Sequence, residues 1–546
     1  MPDLTPVSGA TARDGYARRD MRIAALDLGS NSFHLLVADV HPDGTFAAVA
    51  REKEMLRLGD EVARDGRISP STADRAVTSI RRLRQLADGL GAQEVIAKAT
   101  SAIRSATNGS ELVDRIEADT GVEVEVISGL EEARLIFAAV RASLVLEPAP
   151  ALCIDIGGGS VEIMIGDGAG LRWAASLPLG VGRLTAALAP QDPPTKADRL
   201  AIEERVREIV APYVDDVRTR TPRMVVGTSG TINDLARLAA ANDDGDIPAS
   251  ANGLRVDIER LRDLQRRLMR MTTAERRRLP GIEDKRAELL PAGVTLLVTL
   301  LDELGVHDFG VDEMAFSDWA LREGIVLDAV SAHDPDDWSD DPRSLRRAAV
   351  AGLARRCGSD AAHSQHVARL ARSLFDQTKA LHGLGDADGE MLEYAALLHD
   401  IGQHVSRKGH HRHAAYLVEH AQLRGFSPDE IEFLSTLVRH HRRGEPKTSE
   451  PRFAALDKDS RERVRRLAAL LRLADGLDRG RRGTVDRVDV QLGTDLVVLR
   501  VHAREDPELE LWGVRRRREL FEKIFERELE ATIVRSASPR PSFSDI

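Results

Sequence analysis

Two glycine-rich turns in this chain each open on an aspartate. Asp27 begins DLGSNS (27–32) and Asp155 begins DIGGGS (155–160). In both, an apolar run halts at the acid and resumes after the small residues, as in ALDLGSNSFHLLVADV and ALCIDIGGGSVEIMIG. A tight hairpin needs only two turn residues. These turns add a carboxylate, a permissive backbone at Gly29 or at Gly157, Gly158 and Gly159, and side-chain donors in Ser30, Asn31, Ser32 and Ser160. Backbone N–H groups at such a strand end cradle phosphate oxygens, and a carboxylate beside them holds a hard cation such as Mg²⁺. Glu162, on the returning strand, is a second candidate oxygen ligand, and Asp27 is the less glycine-supported partner of Asp155.

Two further anion loops follow strand-like runs. GTSGT offers Ser229, Gly230 and Thr231, and KATSAIRSATN offers Thr100, Ser101 and Arg104, whose fork can grip one phosphate through two bonds. Between the two aspartates lies ISGLEEARLIFAAV. Ser128 and Glu131 have capping-box spacing, which assigns Glu131 to the helix terminus. Glu132 then falls on the helix face of Leu135, Ile136 and Ala139 and points inward, a candidate general base for activating water.

The elements that must position these residues alternate between short β-rich and helical runs from Met21 to about Val330, an α/β pattern. Asp27, Gly29 and Ser32 return 128 residues later as Asp155, Gly157 and Ser160. That repeat predicts a duplicated core with a cleft between its copies, divided here as 21–135 and 136–330. SAHDPDDWSDDPRS (331–344) is acidic and aperiodic and reads as a linker. Residues 345–484 read as all-helical, and 485–535 as a small α+β segment opening with a hairpin. Residues 1–20 and 536–546 read as disordered tails.

The helical part is crowded with histidine. His363 opens a helix, His399-Asp400 closes ALLHDIG, HHRH covers 410–413, His440-His441 ends STLVRHH, and Asp475 lies in RLADGLD. Adjacent His and Asp with further His ligands can share one or two divalent metals. Within HHRH the reading favours His413, with His410 and His411 as alternatives, and His441 over His440.

Composition narrows the classes. Net charge is −11 and aromatics make up 4%, which argues against a nucleic-acid coat or a base-stacking platform. No apolar stretch has membrane-spanning length and no secretory leader opens the sequence. The two cysteines, Cys153 and Cys357, lack metal spacing and read as buried thiols of a cytoplasmic protein.

DLGSNSFHLLV, ATSAIR, VISGLEEARLIF, IDIGGGSVEI, GTSGT and FSDWALREGIV, in that order, closely resemble motifs of exopolyphosphatases and guanosine pentaphosphate phosphohydrolases. The resemblance covers roughly 21–330. It implies a duplicated actin-like, ribonuclease H-like two-domain fold in which Glu132 activates water and Asp155 binds Mg²⁺. Asn31, Ser32, Arg104, Gly157 to Ser160 and Ser229 to Thr231 would hold phosphates. The ordered His/Asp set resembles HD-domain metal phosphohydrolases, and this family carries such a helical domain. It implies a possible second divalent metal on His363, His399, Asp400, His413, His441 and Asp475, and a homodimer. The expected reaction is Mg²⁺-dependent removal of terminal phosphate from inorganic polyphosphate. Guanosine pentaphosphate is the alternative substrate on the same site; an actin-like kinase or ATPase and a nucleotide sensor are the other classes. ATSAIR lacks a second threonine or histidine that some relatives place in that loop, and the N-terminal tail exceeds what the fold needs.

Overall fold

The computed structural model describes residues 21–41, 46–188, 191–241, 247–248, 250–333, 342–421, 423–442, 444–503 and 505–535. Both expected disordered tails, and residues 334–341 of the expected linker, lie outside these. The linker's flanks, 331–333 and 342–344, are helical.

Two sheets form the α/β part. The first runs β3-β2-β1-β4-β5, from β1 (Met21–Leu28), β2 (Ser32–Val40), β3 (Phe46–Met55), β4 (Glu94–Ala99) and β5 (Val124–Val126). Strands β1 to β3 form an antiparallel meander, and β4 and β5 add parallel to β1. The second sheet repeats this order with β6 (Ala151–Ile156), β7 (Val161–Asp167), β8 (Gly170–Leu177), β9 (Met224–Thr228) and β11 (Glu313–Ser317). Its extra antiparallel edge is β10 (Arg255–Asp257). The central strands β1 and β6 are covered on both faces, which is why IAAL and ALCI read as unbroken apolar runs. The expected duplication is therefore present as a repeated sheet topology.

Two helices tie the copies together. Helix α1 (Gly129–Ser143) and helix α2 (Leu321–His333) share one core with Ile23 and Leu36 of the first sheet and Cys153 and Met164 of the second. The division drawn after residue 135 falls inside α1. The chain also returns at the far end of the second half, where α2 packs on β1 and β2.

The C-terminal part carries α3 (Ala361–Gln377), α4 (Asp386–Leu398), α5 (His410–His420), α6 (Pro428–Arg439) and α7 (Lys458–Gly476). It ends in β12 (Val485–Leu492), β13 (Leu496–Ala503), α8 (Glu508–Phe525) and β14 (Glu528–Arg535). The hairpin expected at 485–503 is present, and α8 returns β14 parallel to β13. This small sheet is not a separate unit: Val488, Val497, Leu499 and Leu529 join Leu398, Leu437 and Leu470 in one core. Both cysteines are free and buried. Among the described residues no helix is long and apolar enough to cross a membrane.

Gly324 fixes the crossing of α1 and α2, because a Cβ there would run into the Leu135 carbonyl. Gly324→Ala should destabilise the chain by about 1–3 kcal/mol, as overpacking does, and Gly324→Val by more. Urea denaturation of the full chain measures both.

Candidate functional site

The two glycine turns have one geometry and meet. Gly29 N–H donates to the Ser32 carbonyl at 3.2 Å, and Gly157 N–H donates to the Ser160 carbonyl at 3.0 Å. A Cβ on Gly158 would sit 2.6 Å from Asn31 Nδ2, and one on Gly159 would sit 2.5 Å from Ser30 Oγ. Glycine is required here because backbone from one lobe lies against side chains of the other. Ser30 is held in turn, its Oγ accepting from the Ala102 N–H at 3.1 Å.

A cavity of about 190 Å³ opens between the turns. Asp27, Asn31, Ser32, Glu132, Asp155, Gly157 to Ser160 and Ser229 to Thr231 all line it. The sequence therefore names residues that the fold collects from both lobes. Glu162 differs. It is the cross-strand neighbour of Asp155, fully buried, with Oε1 accepting from Ser176 Oγ at 2.8 Å, and it lies behind the lining. Its Oε2 is buried without a hydrogen-bond partner. Ser229 also caps a helix, its Oγ accepting from the Ile232 N–H at 3.2 Å, with backbone φ at 106°.

Glu132 sits in the first turn of α1, buried on the face of Leu135, Ile136 and Ala139 as its helical phase predicts. Arg104 donates to Glu132 Oε2 at 3.3 Å and to the Ile127 carbonyl at 2.6 Å, so in this state the fork holds the acid and the chain before α1. The expected capping box is half formed. Ser128 Oγ accepts from the Glu131 N–H at 3.1 Å, but the Glu131 carboxylate turns to Arg134, at 2.7 and 2.9 Å. An ion pair one helical step away outcompetes the backward reach.

The site is electrostatically short of positive charge. Burial pushes Glu132 up to about 7, against the pull of Arg104. Burial and the charge of Glu132 push Asp27 up to about 7. Burial and neighbouring carboxylates hold Asp155 and Glu162 well above the usual range. Oxygen donors in this number, one orphaned, fit a hard divalent cation, with Asp27 and Asp155 facing the cavity and Glu162 behind. Two lining cations lie outside every motif, Lys53 and Arg286, and a third, Arg322, belongs to FSDWALREGIV. Arg286 bonds the Gly230 carbonyl at 2.9 Å and Asp234 at 2.8 Å, which aims it along the GTSGT loop. His34 occupies on β2 the cross-strand position that Glu162 occupies on β7. Register alone would have exposed that pair; the cations needed the fold.

The helical part gathers a second set. Ligand atoms of His363, His399 and Asp400 lie within 4.8 Å of one another, as do those of Asp400, His410 and His441. Asp475 Oδ1 is 3.9 Å from Nε2 of both His363 and His399. His413 is not in this set. The buried face of α5 runs through His410, Ala414 and Val418, so His410 enters the cluster and His413 falls beside it. His440 turns away toward Glu450, its Nε2 3.8 Å from that carboxylate, and leaves His441 in the cluster.

Residues 36–333 match the Ppx/GppA phosphatase family, and residues 345–507 match Ppx/GppA phosphatase, domain III. The chain is 35% identical to a protein named Exopolyphosphatase 1 from Mycobacterium tuberculosis over 313 residues, covering 56% of this chain and 88% of that one. The namesake from Mycobacterium leprae is 34% identical over 308 residues, covering 56% and 89%. The crystal structure of an exopolyphosphatase from Cytophaga hutchinsonii superposes with a TM-score of 0.53 at 29% identity, over 57% of this chain and 98% of that one. With the repeated sheets, these likenesses make the core a duplicated actin-like α/β fold.

Because the folded protein holds Asp155 protonated to higher pH than the unfolded chain does, this group lowers stability progressively as pH rises above about 4. Asp155→Asn removes that penalty. In metal-free buffer the Tm of the variant minus that of the wild type should grow from pH 5 to pH 8, as differential scanning fluorimetry of the two proteins would show.

Proposed function

The chain belongs to the Ppx/GppA phosphatase family, and on that premise we propose that it removes the terminal phosphate of inorganic polyphosphate, with Mg²⁺ in the cleft and Glu132 activating water. The observation that carries this reading is Glu132 itself: a buried carboxylate, raised to about 7, at the edge of a cavity walled by two facing phosphate-type loops. A base with a pKa near the working pH takes a proton from water most effectively.

Glu132 draws the proton as the water oxygen bonds to the terminal phosphorus, and the bridging P–O bond breaks to release the shortened chain. Loop amides at Gly157 to Ser160 and Ser229 to Thr231 meet the charge that gathers on the phosphate oxygens. Mg²⁺, when bound by Asp27 and Asp155, supplies the strongest positive field at those oxygens. Arg104 keeps Glu132 oriented and Glu162 backs Asp155.

Polyphosphate is preferred to guanosine pentaphosphate by what lines the cleft. Among the described residues that line it there is no Phe, Tyr or Trp ring to stack on a base, while Lys53, Arg286 and Arg322 supply cations for a polyanion. A kinase or ATPase role is the weaker reading, because a buried acid raised to about 7 beside the cavity favours water as the nucleophile.

Orthophosphate release should be followed with long-chain polyphosphate, guanosine pentaphosphate and ATP, each with Mg²⁺. Polyphosphate should turn over fastest, and Glu132→Gln should lower kcat by about 10²- to 10⁴-fold. The wild-type rate should have an acid limb above 4.5, the ordinary glutamate value, since protonated Glu132 cannot act. Undiminished release by Glu132→Gln removes the mechanism, and faster release from guanosine pentaphosphate reassigns the substrate.

A further inference from the structure

A larger cavity, of about 510 Å³, lies where the first lobe meets the helical domain. Its walls come from β3, the turn before α2, the helix Pro342–Arg356, and α5 with the residues after it. In a chain of net charge −11, Arg51, Arg356 and Arg424 line it, and among the described residues no Asp or Glu does. Arg356 makes no ion pair among the described residues, and Arg51 has one carboxylate contact, Glu323 at 3.6 Å. Aromatic residues make up only 4% of the sequence, yet Phe46, Trp319 and Tyr416 gather here. Phe46 stacks on Trp319 with ring centroids 4.8 Å apart, and the Arg424 guanidinium lies 5.3 Å from the Trp319 centroid. Tyr416 is 56% exposed; His420 stacks on it at 4.2 Å and leaves its other face open. Guanidinium forks with no acid among them suit a multiply charged oxyanion, and an open ring beside them suits a flat heterocycle. A nucleoside diphosphate carries both parts, and the cavity has the size of a small-molecule site.

Two segments reach from this cavity into the cleft. Trp319 lines the first, while Ala320, Leu321 and Arg322 line the second. On β3, Arg51 lines the first, and Lys53, two residues on and on the same strand face, lines the second. The Trp319 carbonyl accepts from Thr228 Oγ1 at 2.7 Å, one residue before the Ser229 to Thr231 loop. Glu323 stands between the two cavities, fully buried, with Oε2 accepting from the Ala320 N–H at 3.1 Å. Its Oε1 has no hydrogen-bond partner and is shared by two guanidiniums, 3.6 Å from Arg51 and 3.9 Å from Arg322. One buried acid thus faces an arginine from each cavity, and neither contact is closed.

We propose that this cavity is an effector site for a nucleoside diphosphate, its base on Tyr416 and its phosphates on Arg51, Arg356 and Arg424, and that filling it weakens polyanion binding in the cleft through Glu323. Phosphates that draw Arg51 away leave Glu323 to Arg322, which closes on that acid and withdraws from the cleft. A polyanion that holds Arg322 in the cleft leaves Glu323 to Arg51, which weakens the nucleotide by the same factor. The relay rests on the cleft holding polyphosphate; the effector site does not.

The test uses the full-length Glu132→Gln protein with Mg²⁺, ADP carrying a methylanthraniloyl group on its ribose as the probe, and tripolyphosphate as the cleft ligand. Energy transfer from tryptophan to the probe reports its Kd, and calorimetry reports that of tripolyphosphate. The probe should bind saturably. Tyr416→Ala and Arg356→Met, both at exposed positions, should raise its Kd by about tenfold or more and leave tripolyphosphate binding and the thermal melt unchanged. Tripolyphosphate should raise the probe's Kd by about fivefold or more, to a plateau, and Glu323→Gln or Arg322→Met should each abolish that rise. No probe binding, or binding that neither Tyr416→Ala nor Arg356→Met weakens, overturns the effector site. A rise without a plateau means that the two ligands compete for one place and overturns it too. An unchanged Kd with tripolyphosphate bound overturns the relay, and a rise that survives both Glu323→Gln and Arg322→Met overturns its route. Failure of tripolyphosphate to bind overturns the cleft reading and the relay together, while the probe's Kd in Tyr416→Ala and Arg356→Met still decides the site.

Discussion

A carboxylate buried at the end of a central strand is costly to ionise until positive charge meets it, and the α/β half is organised around two of these. Asp27 and Asp155 are the penultimate residues of β1 and β6, the two strands about which the repeated sheets are built. The glycine turns that follow bring the lobes close enough for Asn31 to touch Gly158 and Ser30 to touch Gly159. Duplication therefore does more than repeat a fold. It sets two strand ends against each other and concentrates Asp27, Asp155 and, from α1, Glu132 around a small cavity. The raised values of these acids record first their burial and, for Asp27 and Asp155, the nearby charge of Glu132 as well.

The helical half meets the same physics in the opposite way. Asp400 and Asp475 are also buried, yet each already has a guanidinium in contact, Arg481 and Arg517 respectively. Both carboxyls are held well below the usual range, Asp400 by surrounding imidazoles and Arg481, Asp475 chiefly by Arg517. One half of the chain presents acids short of positive charge, and the other presents ionised acids among convergent imidazole nitrogens. The first favours an all-oxygen cation, the second a borderline metal that accepts nitrogen.

What the sequence disclosed follows the range of its interactions. The repeat was legible because strand–turn–strand chemistry is local and appears twice in the same order. Glu132 was legible because helical phase is local: four consecutive turns of apolar residues leave one acid on the wrong face. His410 against His413 was not resolved, since three residues turn a helix through 300°, and which side faces inward is decided by α6 and the turn at Ile401–His404, which pack on α5. Lys53, Arg286 and Arg517 stayed invisible for the same reason. Each is an ordinary surface-type cation in sequence and sits outside the motifs, Lys53 on the strand that follows DLGSNSFHLLV and Arg286 and Arg517 on more distant segments. The half-formed capping box is the converse case, in which correct local spacing at Ser128 and Glu131 lost to the Arg134 ion pair.

Helix α1 connects these observations mechanically. Its first turn carries Glu132 into the cleft, its middle packs between the two sheets, and its last residue, Ser143, accepts the Gly425 N–H through its carbonyl at 2.9 Å. Ser143 Oγ also bonds Ser317 Oγ at 2.8 Å, at the end of β11 in the second sheet. The helical domain meets the first lobe as well, across a cavity shared by Phe46, Arg51 and Arg356. Its Phe426–Ser427 backbone abuts Gly253 of the second lobe. A rotation that widens the cleft must therefore shift one or both of these contacts, because the helical domain touches each lobe and cannot follow both. The same helix that supplies the acid to the cleft is thus the element through which any such shift reaches it.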